Sequence, residues 1–386
     1  MLRGSAAWVY SPPAPTAPEQ EPQICLTFRD HWTPPLNTKS FSFNNILRSD
    51  ALTLENLREL TACRAQAYES TTVTADERLS WIQRYYALLH NFGSKAAAMD
   101  GNNEEALQFE WTSPLGGSPA TYHRVKGVVA EQAMACVTYA AAVEQQAYTL
   151  AAEIAQHDME QLKSMPEQHV AAAGLFRRAA GVYEYAADEY IDQLTGPRQA
   201  DRPAELRQGM PSVLAKLALG QAQAVTAHRA QVKGTSPAVL ASLYCGAVDL
   251  FEEASHQIRS NDDLKQTSES LRKALGLSSN HNTVKAWQAM AAQEAAESNL
   301  GVACANLQEA KRLAQESCQV AQGKSDWQHL FQNELSLISD LMTVYDRERQ
   351  IVYFQAIAQH LSKLPQGKIL VKSAKFEPLQ LQHELG

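Results

Sequence analysis

From Thr53 onward the chain is an almost unbroken series of stretches rich in Ala, Leu, Gln and Glu, all strong helix formers. Helices are predicted over 53–70, 75–94, 120–156, 166–194, 206–233, 237–260, 263–276, 281–322 and 327–361. Such a chain can hide its apolar faces only by packing helix on helix. The sharpest punctuation lies in the middle. Gly234 closes one helix, and Thr235-Ser236-Pro237 opens the next, with Ser236 as the N-cap and Pro237 at the first helical position. So short a link requires the two helices to lie antiparallel, as a hairpin.

The second arm of that hairpin shows its core stripe directly. Leu240, Leu243, Ala247, Leu250, Ala254 and Ile258 recur at intervals of three and four and fall on one side, with Val239 at the edge of the stripe. The seam of the 281–322 segment is made mainly of small residues, Ala291, Ala295, Ala305 and Ala310 with Trp287 and Val302, which lets neighbouring helices approach closely. Asn299-Leu300-Gly301 followed by Ala305 and Ala310 resembles half of a tetratricopeptide repeat, but no 34-residue period recurs. The pattern therefore predicts an irregular helical solenoid.

The first fifty residues differ. Residues 1–22 read as a disordered leader, and Ile24, Leu26 and Phe28 alternate with polar neighbours as a short strand does, an alternation that Phe41 and Phe43 repeat weakly. A small β element near the start is expected. The 386 residues are 45% apolar, enough for a core without metal or disulfides. The six cysteines are scattered, which suits a reducing compartment. With 34 Lys and Arg against 42 Asp and Glu, the net charge of −8 disfavours a nucleic-acid partner. No apolar run approaches membrane-spanning length.

Catalytic grammar is missing. Gly323-Lys324-Ser325 has the tail of a phosphate loop, but Cys318 stands where the loop needs glycine. Gly117-Ser118-Pro119 lacks the pattern of a nucleophile elbow. The eleven histidines show no zinc-protease spacing, and His157 and His169 are far apart for a local metal pair. Glu252-Glu253 and Asp262-Asp263 are adjacent, and adjacent helical residues do not face each other. No cofactor or metal is expected, and an enzyme could arise only from residues dispersed along the chain.

A set of blocks in register carries more information. Phe109-Glu110-Trp111-Thr112-Ser113-Pro114 is followed by Phe176-Arg177-Arg178-Ala179-Ala180-Gly181-Val182-Tyr183, then by Leu219-Gly220-Gln221-Ala222-Gln223-Ala224-Val225. Asn306-Leu307-Gln308-Glu309-Ala310, Ile351-Val352-Tyr353-Phe354-Gln355 and Gly367-Lys368-Ile369-Leu370-Val371-Lys372 complete the series. In order and spacing these resemble the Bro-one domain family, whose members include Alix, HD-PTP, the rhophilins and BROX. The resemblance implies a mainly α, boomerang-shaped domain with a tetratricopeptide-like core and a small N-terminal β element, here over residues 23–378, with a short tail at 379–386. Because little follows the domain, the stand-alone BROX-like members are the nearest expectation, although BROX ends in a prenylated cysteine motif and this chain ends Leu381-Gln382-His383-Glu384-Leu385-Gly386.

The resemblance also implies a function without catalysis. Members bind the C-terminal amphipathic helix of an ESCRT-III subunit, one of the charged multivesicular body proteins of the Snf family, in a shallow apolar groove. The aliphatic anchors of that groove fall on Val239 and Leu243, one turn apart, and its basic position falls on Arg229. Thr226 stands where Alix has a bulky aromatic, and Val170 where Alix has a lysine stem; the acidic neighbour falls near Pro166 or Glu167. Periodicity alone puts Leu243 in the core, so that residue is expected to serve both faces. Tyr353 falls on a regulatory tyrosine of Alix. The expectation is a monomeric cytoplasmic adaptor recruited through partners to endosomal or other cytosolic-side membranes, the alternative being a signalling scaffold with a different peptide partner.

Overall fold

In the computed structural model, residues 37–45, 54–96, 107–116, 121–157, 159–194, 201–323 and 325–378 are described. The expected leader, the strand at Ile24–Phe28 and the tail at 379–386 lie outside them. Ten helices are described: α1 (Leu54–Tyr68), α2 (Ala75–Ala96), α3 (Val128–Ile154), α4 (Met159–Ser164), α5 (Pro166–Glu189), α6 (Met210–Val232), α7 (Pro237–Ser260), α8 (Glu269–Ala296), α9 (Leu300–Val320) and α10 (Ser325–Glu348). From α5 to α10 each helix packs on the next, and α3 packs on α5, so most of the core is one continuous layer of apolar side chains between successive helices, with a smaller separate cluster of Ala227, Leu243, Tyr244, Cys245 and Ala286 between α6, α7 and α8. This is the mainly α, solenoid-like arrangement that the helix pattern predicted.

The sheet described is a hairpin of β1 (Gln108–Thr112) and β2 (Tyr122–Lys126), with Trp111 opposite His123. Nearer the start, where the β element is expected, the described residues hold only a bridge from Thr38 to Trp111, and Phe43–Asn45 is a 3-10 turn rather than a strand. The predicted helix over 120–156 therefore begins late, because β2 occupies its first residues and Gly127, at φ 83°, turns the chain into α3. One buried carboxylate ties the hairpin to the helices. Glu131 of α3 accepts hydrogen bonds from Trp111 Nε1 at 2.7 Å, Tyr85 Oη at 2.8 Å and Arg64 Nε at 2.9 Å.

The predicted helices 263–276 and 281–322 divide at a different point. The break expected between 276 and 281 does not exist, since α8 runs through it. The polar residues there are bonded within and between helices: Asn282 Nδ2 donates to the Ser278 carbonyl, Ser279 Oγ to Glu252 and Asn280 Nδ2 to Ser317 Oγ. The break comes at Ser298, whose φ of 63° is left-handed, and the Asn299 amide closes the turn on the Glu294 carbonyl at 2.8 Å.

The last predicted helix, 327–361, is cut short. After α10 the chain makes one wide turn at Arg349–Tyr353, reaches a left-handed Phe354 and then runs extended to 378. Gln355 draws it away, its side chain accepting from the Gly301 amide at 2.9 Å and donating to the Ser298 carbonyl at 2.8 Å. The extended strap crosses α9, α7, α6 and α5 in that order. Its amides donate from Ala358 to the Gly301 carbonyl, from Lys368 to the Ser242 carbonyl, from Leu370 to Gln223 Oε1 and from Ala374 to the Arg177 carbonyl. Glycines seat it. A Cβ at Gly301, Gly246 or Gly181 would collide with the strap carbonyl of Ala356, Lys368 or Ala374.

Candidate surface of helices 5 to 7

The expected hairpin is present as α6 and α7, closed by the Thr235 amide on the Ala230 carbonyl and by Tyr244 Oη donating to Gln231 Oε1 at 2.6 Å. Helix α5 lies antiparallel to α6, because His169 near its start bonds His228 near the end of α6, ring nitrogens 2.8 Å apart and rings stacked. The start of α5, the end of α6 and the start of α7 therefore meet at one end of the molecule.

On α7, Val239, Ser242 and Gly246 recur at three and four, on α6 Gln223 and Thr226 are three apart, and on α5 Val170, Gly174, Arg177 and Gly181 follow the same spacing. Each series lies on one helix face. In each, one member carries the strap and another lies beyond it, toward the shared end. Val239 is 40% exposed and Val170 is 50% exposed, while Thr226 is half-buried with its hydroxyl turned back to the Ala222 carbonyl.

Leu243 does not stand open beside Val239. It is 2% exposed, packed with Ala227, Tyr244, Cys245 and Ala286, and covered by Ala230 and by Leu364 of the strap. The expectation that it serves both faces is corrected to a core position: residues four apart share a helix face, but Ala230 and Leu364 of the strap cover Leu243 and leave Val239 exposed. Gln223 reinforces the seal, its Nε2 donating to the carbonyls of both Leu243 and Lys368.

Arg229 sits on the flank of this face, half-buried, with its Nε enclosed and without a hydrogen-bond partner. A buried donor left without an acceptor costs about 1–3 kcal/mol. Arg229 also acts on its neighbour. Burial first, and then the charge of Arg229, lower the pKa of His169 to about 4, so His169 is neutral at physiological pH. Tyr353 lies elsewhere, half-buried at the turn after α10 with Ser298 Oγ donating to its hydroxyl at 3.3 Å. The structure thus gathers Val170, Thr226, Arg229 and Val239 and leaves Tyr353 apart.

The residues that sequence reasoning missed are Gln223, His169 and His228. Among the described residues no group of His, Cys, Asp and Glu could hold a metal ion, and no helix is long and apolar enough to cross a membrane. Residues 41–385 match the BRO1-like domain. The chain belongs to that family.

Among curated proteins none matches this BRO1-like chain in sequence. Solved structures do match. One is the ALIX BRO1 CHMP4C complex, at 17% identity and a TM-score of 0.69, covering 90% of this chain and 96% of that one. A second is ALIX in complex with the SIVmac239 PYKEVTEDL Late Domain, at 17% identity and a TM-score of 0.68, where the match covers 90% of this chain and 49% of that one. A third, described as a basis for endosomal targeting by its Bro1 domain, shares 12% identity with a TM-score of 0.63 over 88% of this chain and 90% of that one. At such identities they establish a shared fold.

Proposed function

We propose that this BRO1-like domain is a non-catalytic adaptor that receives the C-terminal amphipathic helix of an ESCRT-III subunit on the face formed by Val170, Thr226, Arg229 and Val239. The observation that carries the reading is that Val170 of α5 and Val239 of α7 are exposed aliphatics on the two helices that flank the end of α6, where Arg229 lies half-buried. This is what helix-in-groove recognition uses: apolar anchors at helical spacing and a cation for a flanking carboxylate. The fold it shares with an ALIX domain complexed with CHMP4C supports the same partner class. Recruitment to endosomal or other cytosolic-side membranes then follows from the partner, and a monomer suffices.

Two aliphatic anchors supply about 3–6 kcal/mol together before ordering costs, less than the roughly −8 kcal/mol of micromolar affinity, so polar contacts and further apolar area of the face supply the remainder. Titration of the protein with ESCRT-III C-terminal peptides in a calorimeter tests the reading. Binding in the micromolar range that Val239→Asp weakens at least tenfold supports it. Equal binding by wild type and Val239→Asp removes it. The burial of Leu243 leaves Val239 as the single exposed anchor of the expected pair on α7, and Thr226 is small, which favours the second reading, a scaffold for another peptide, should ESCRT-III peptides fail to bind.

A further inference from the structure

The strap carries chemistry that its seating does not use. Between Glu348 and Glu377 the chain has no carboxylate, yet it carries Lys363, Lys368, Lys372 and Lys375, in a protein whose net charge is −8. Lys375 pairs with Glu377, whereas Lys363, Lys368 and Lys372 are exposed and have no ion partner among the described residues. Where the strap crosses α7 and α6, Ile369 and Leu370 are also exposed. The backbone of these residues is held by Ser242 and Gln223, so their side chains are free for another task.

Position gives that task a direction. A segment laid across three helices stands above their surface. It therefore makes a step running from α7 to α5, and Val239, Thr226 and Val170 lie along the foot of the step on one side. On α7 the nearest carboxylate, Asp249, lies on the other side, against Gly367 of the strap. Arg229 adds a second cation on the side of Val239.

Resting on the adaptor reading, we propose that the strap over 368–372 is the second wall of the binding face and selects an amphipathic helix whose polar side is acidic. The floor, Val239 and Val170, takes the apolar stripe. Ile369 and Leu370 cover its upper edge. Lys368 and Lys372 on the wall and Arg229 on the floor then face carboxylates of the partner. Opposite charges so arranged fix orientation and reject helices with a basic polar side. Glu167, exposed in the first turn of α5, marks the end of the face where an acidic residue of the partner is disfavoured.

The test uses the full chain and two synthetic amphipathic helices with the same leucine stripe, one with a Glu-rich and one with a Lys-rich polar side, read by fluorescence anisotropy. The expected result is at least tenfold tighter binding of the Glu-rich helix, weakened with rising salt. The double variant Lys368→Glu/Lys372→Glu should lose at least tenfold for that helix and gain affinity for the Lys-rich one, with an unchanged melting temperature. A merely structural role of the strap would not produce that swap. If Val239→Asp weakens the Glu-rich helix but the strap double variant does not, the strap proposal is overturned while the binding face stands. Equal binding of both helices, or of neither, also overturns it. So does strap-dependent binding to phosphatidylserine vesicles without binding to either helix. Binding of the Glu-rich helix with no binding of ESCRT-III peptides would remove the adaptor reading alone.

Discussion

Gly246 of α7 faces the carbonyl oxygen of Lys368 so closely that a Cβ at Gly246 would stand 2.6 Å from it. The obstacle is backbone on backbone, so no side chain can turn aside to make room. Gly246→Ala gains about 1 kcal/mol of helix propensity, yet it must push the strap off its bonds to Ser242 and Gln223. The expected outcome is a net loss of about 1–3 kcal/mol by urea denaturation. Amide hydrogen exchange should also be faster at Lys368 and Leu370. Unchanged protection of those two amides would show that the strap is not seated by this glycine.

Glu334 of α10 is fully buried and meets Lys285 Nζ of α8 at 2.6 Å, Gln288 Nε2 at 2.7 Å and His281 Nε2 at 3.2 Å. Burial by itself would raise its pKa. The Lys285 charge and the bonds from His281 and Lys285 outweigh burial and hold it at about 2. Glu334→Ala leaves the Lys285 ammonium buried without a carboxylate, so a loss of about 3–5 kcal/mol is expected by denaturant titration. Glu334→Leu combined with Lys285→Met removes both charges and should recover most of that loss. Equal destabilisation by the single and double variants would mean that the carboxylate is not there to balance the lysine.

The helical character, the α6–α7 hairpin and the stripe from Leu240 to Ile258 were legible because each depends on local spacing and caps. The ends of α8 and α10 were not legible. Asn280 and Asn282 look like turn residues until their side chains meet Ser317 and the Ser278 carbonyl, and Gln355 ends a helical pattern only because the α8–α9 turn lies beside it. Of the candidate site, periodicity placed Leu243 correctly in the core and Val239 at its edge, whereas family likeness assigned both to the surface. The strap had a signal that went unread. Gly181, Gly246 and Gly301 each sit inside a helical pattern, where glycine is unfavourable and usually marks a close approach. His169 and His228 are 59 residues apart, and nothing local in either helix announces their contact.

His169 predicts an acid-sensitive stability. The unfolded side chain takes a proton near pH 6.5, but in the folded protein burial and then the charge of Arg229 delay protonation to about pH 4, with His228 and Arg229 of α6 as its facing groups. Between those pH values the unfolded state holds more protons, so stability falls as the pH drops from about 6.5 to about 4. The slope from one such group is at most about 1.4 kcal/mol per pH unit. Burial lowers His281 in the same direction, so His169→Gln should flatten the profile without abolishing it. Urea midpoints measured from pH 7.5 to pH 4 give the check. Parallel profiles for wild type and variant would exclude His169 as a source of the slope.

Val239 and Leu243 are one turn apart on α7 and should respond in opposite ways. Leu243 is enclosed by Ala227, Tyr244, Cys245, Ala286 and Leu364, so Leu243→Ala removes packed atoms and leaves a cavity, with an expected loss of about 2–5 kcal/mol. Val239 is exposed, and Val239→Asp should change stability by no more than about 0.5 kcal/mol while placing a charge on the binding face. A loss of binding in a Leu243 variant therefore reports a damaged scaffold and a displaced strap. The same loss in Val239→Asp reports the face itself. Paired urea melts and peptide titrations on both variants separate the two effects. A Val239→Asp protein as unstable as Leu243→Ala would mean that Val239 belongs to the core, and the binding face would lose its exposed anchor on α7.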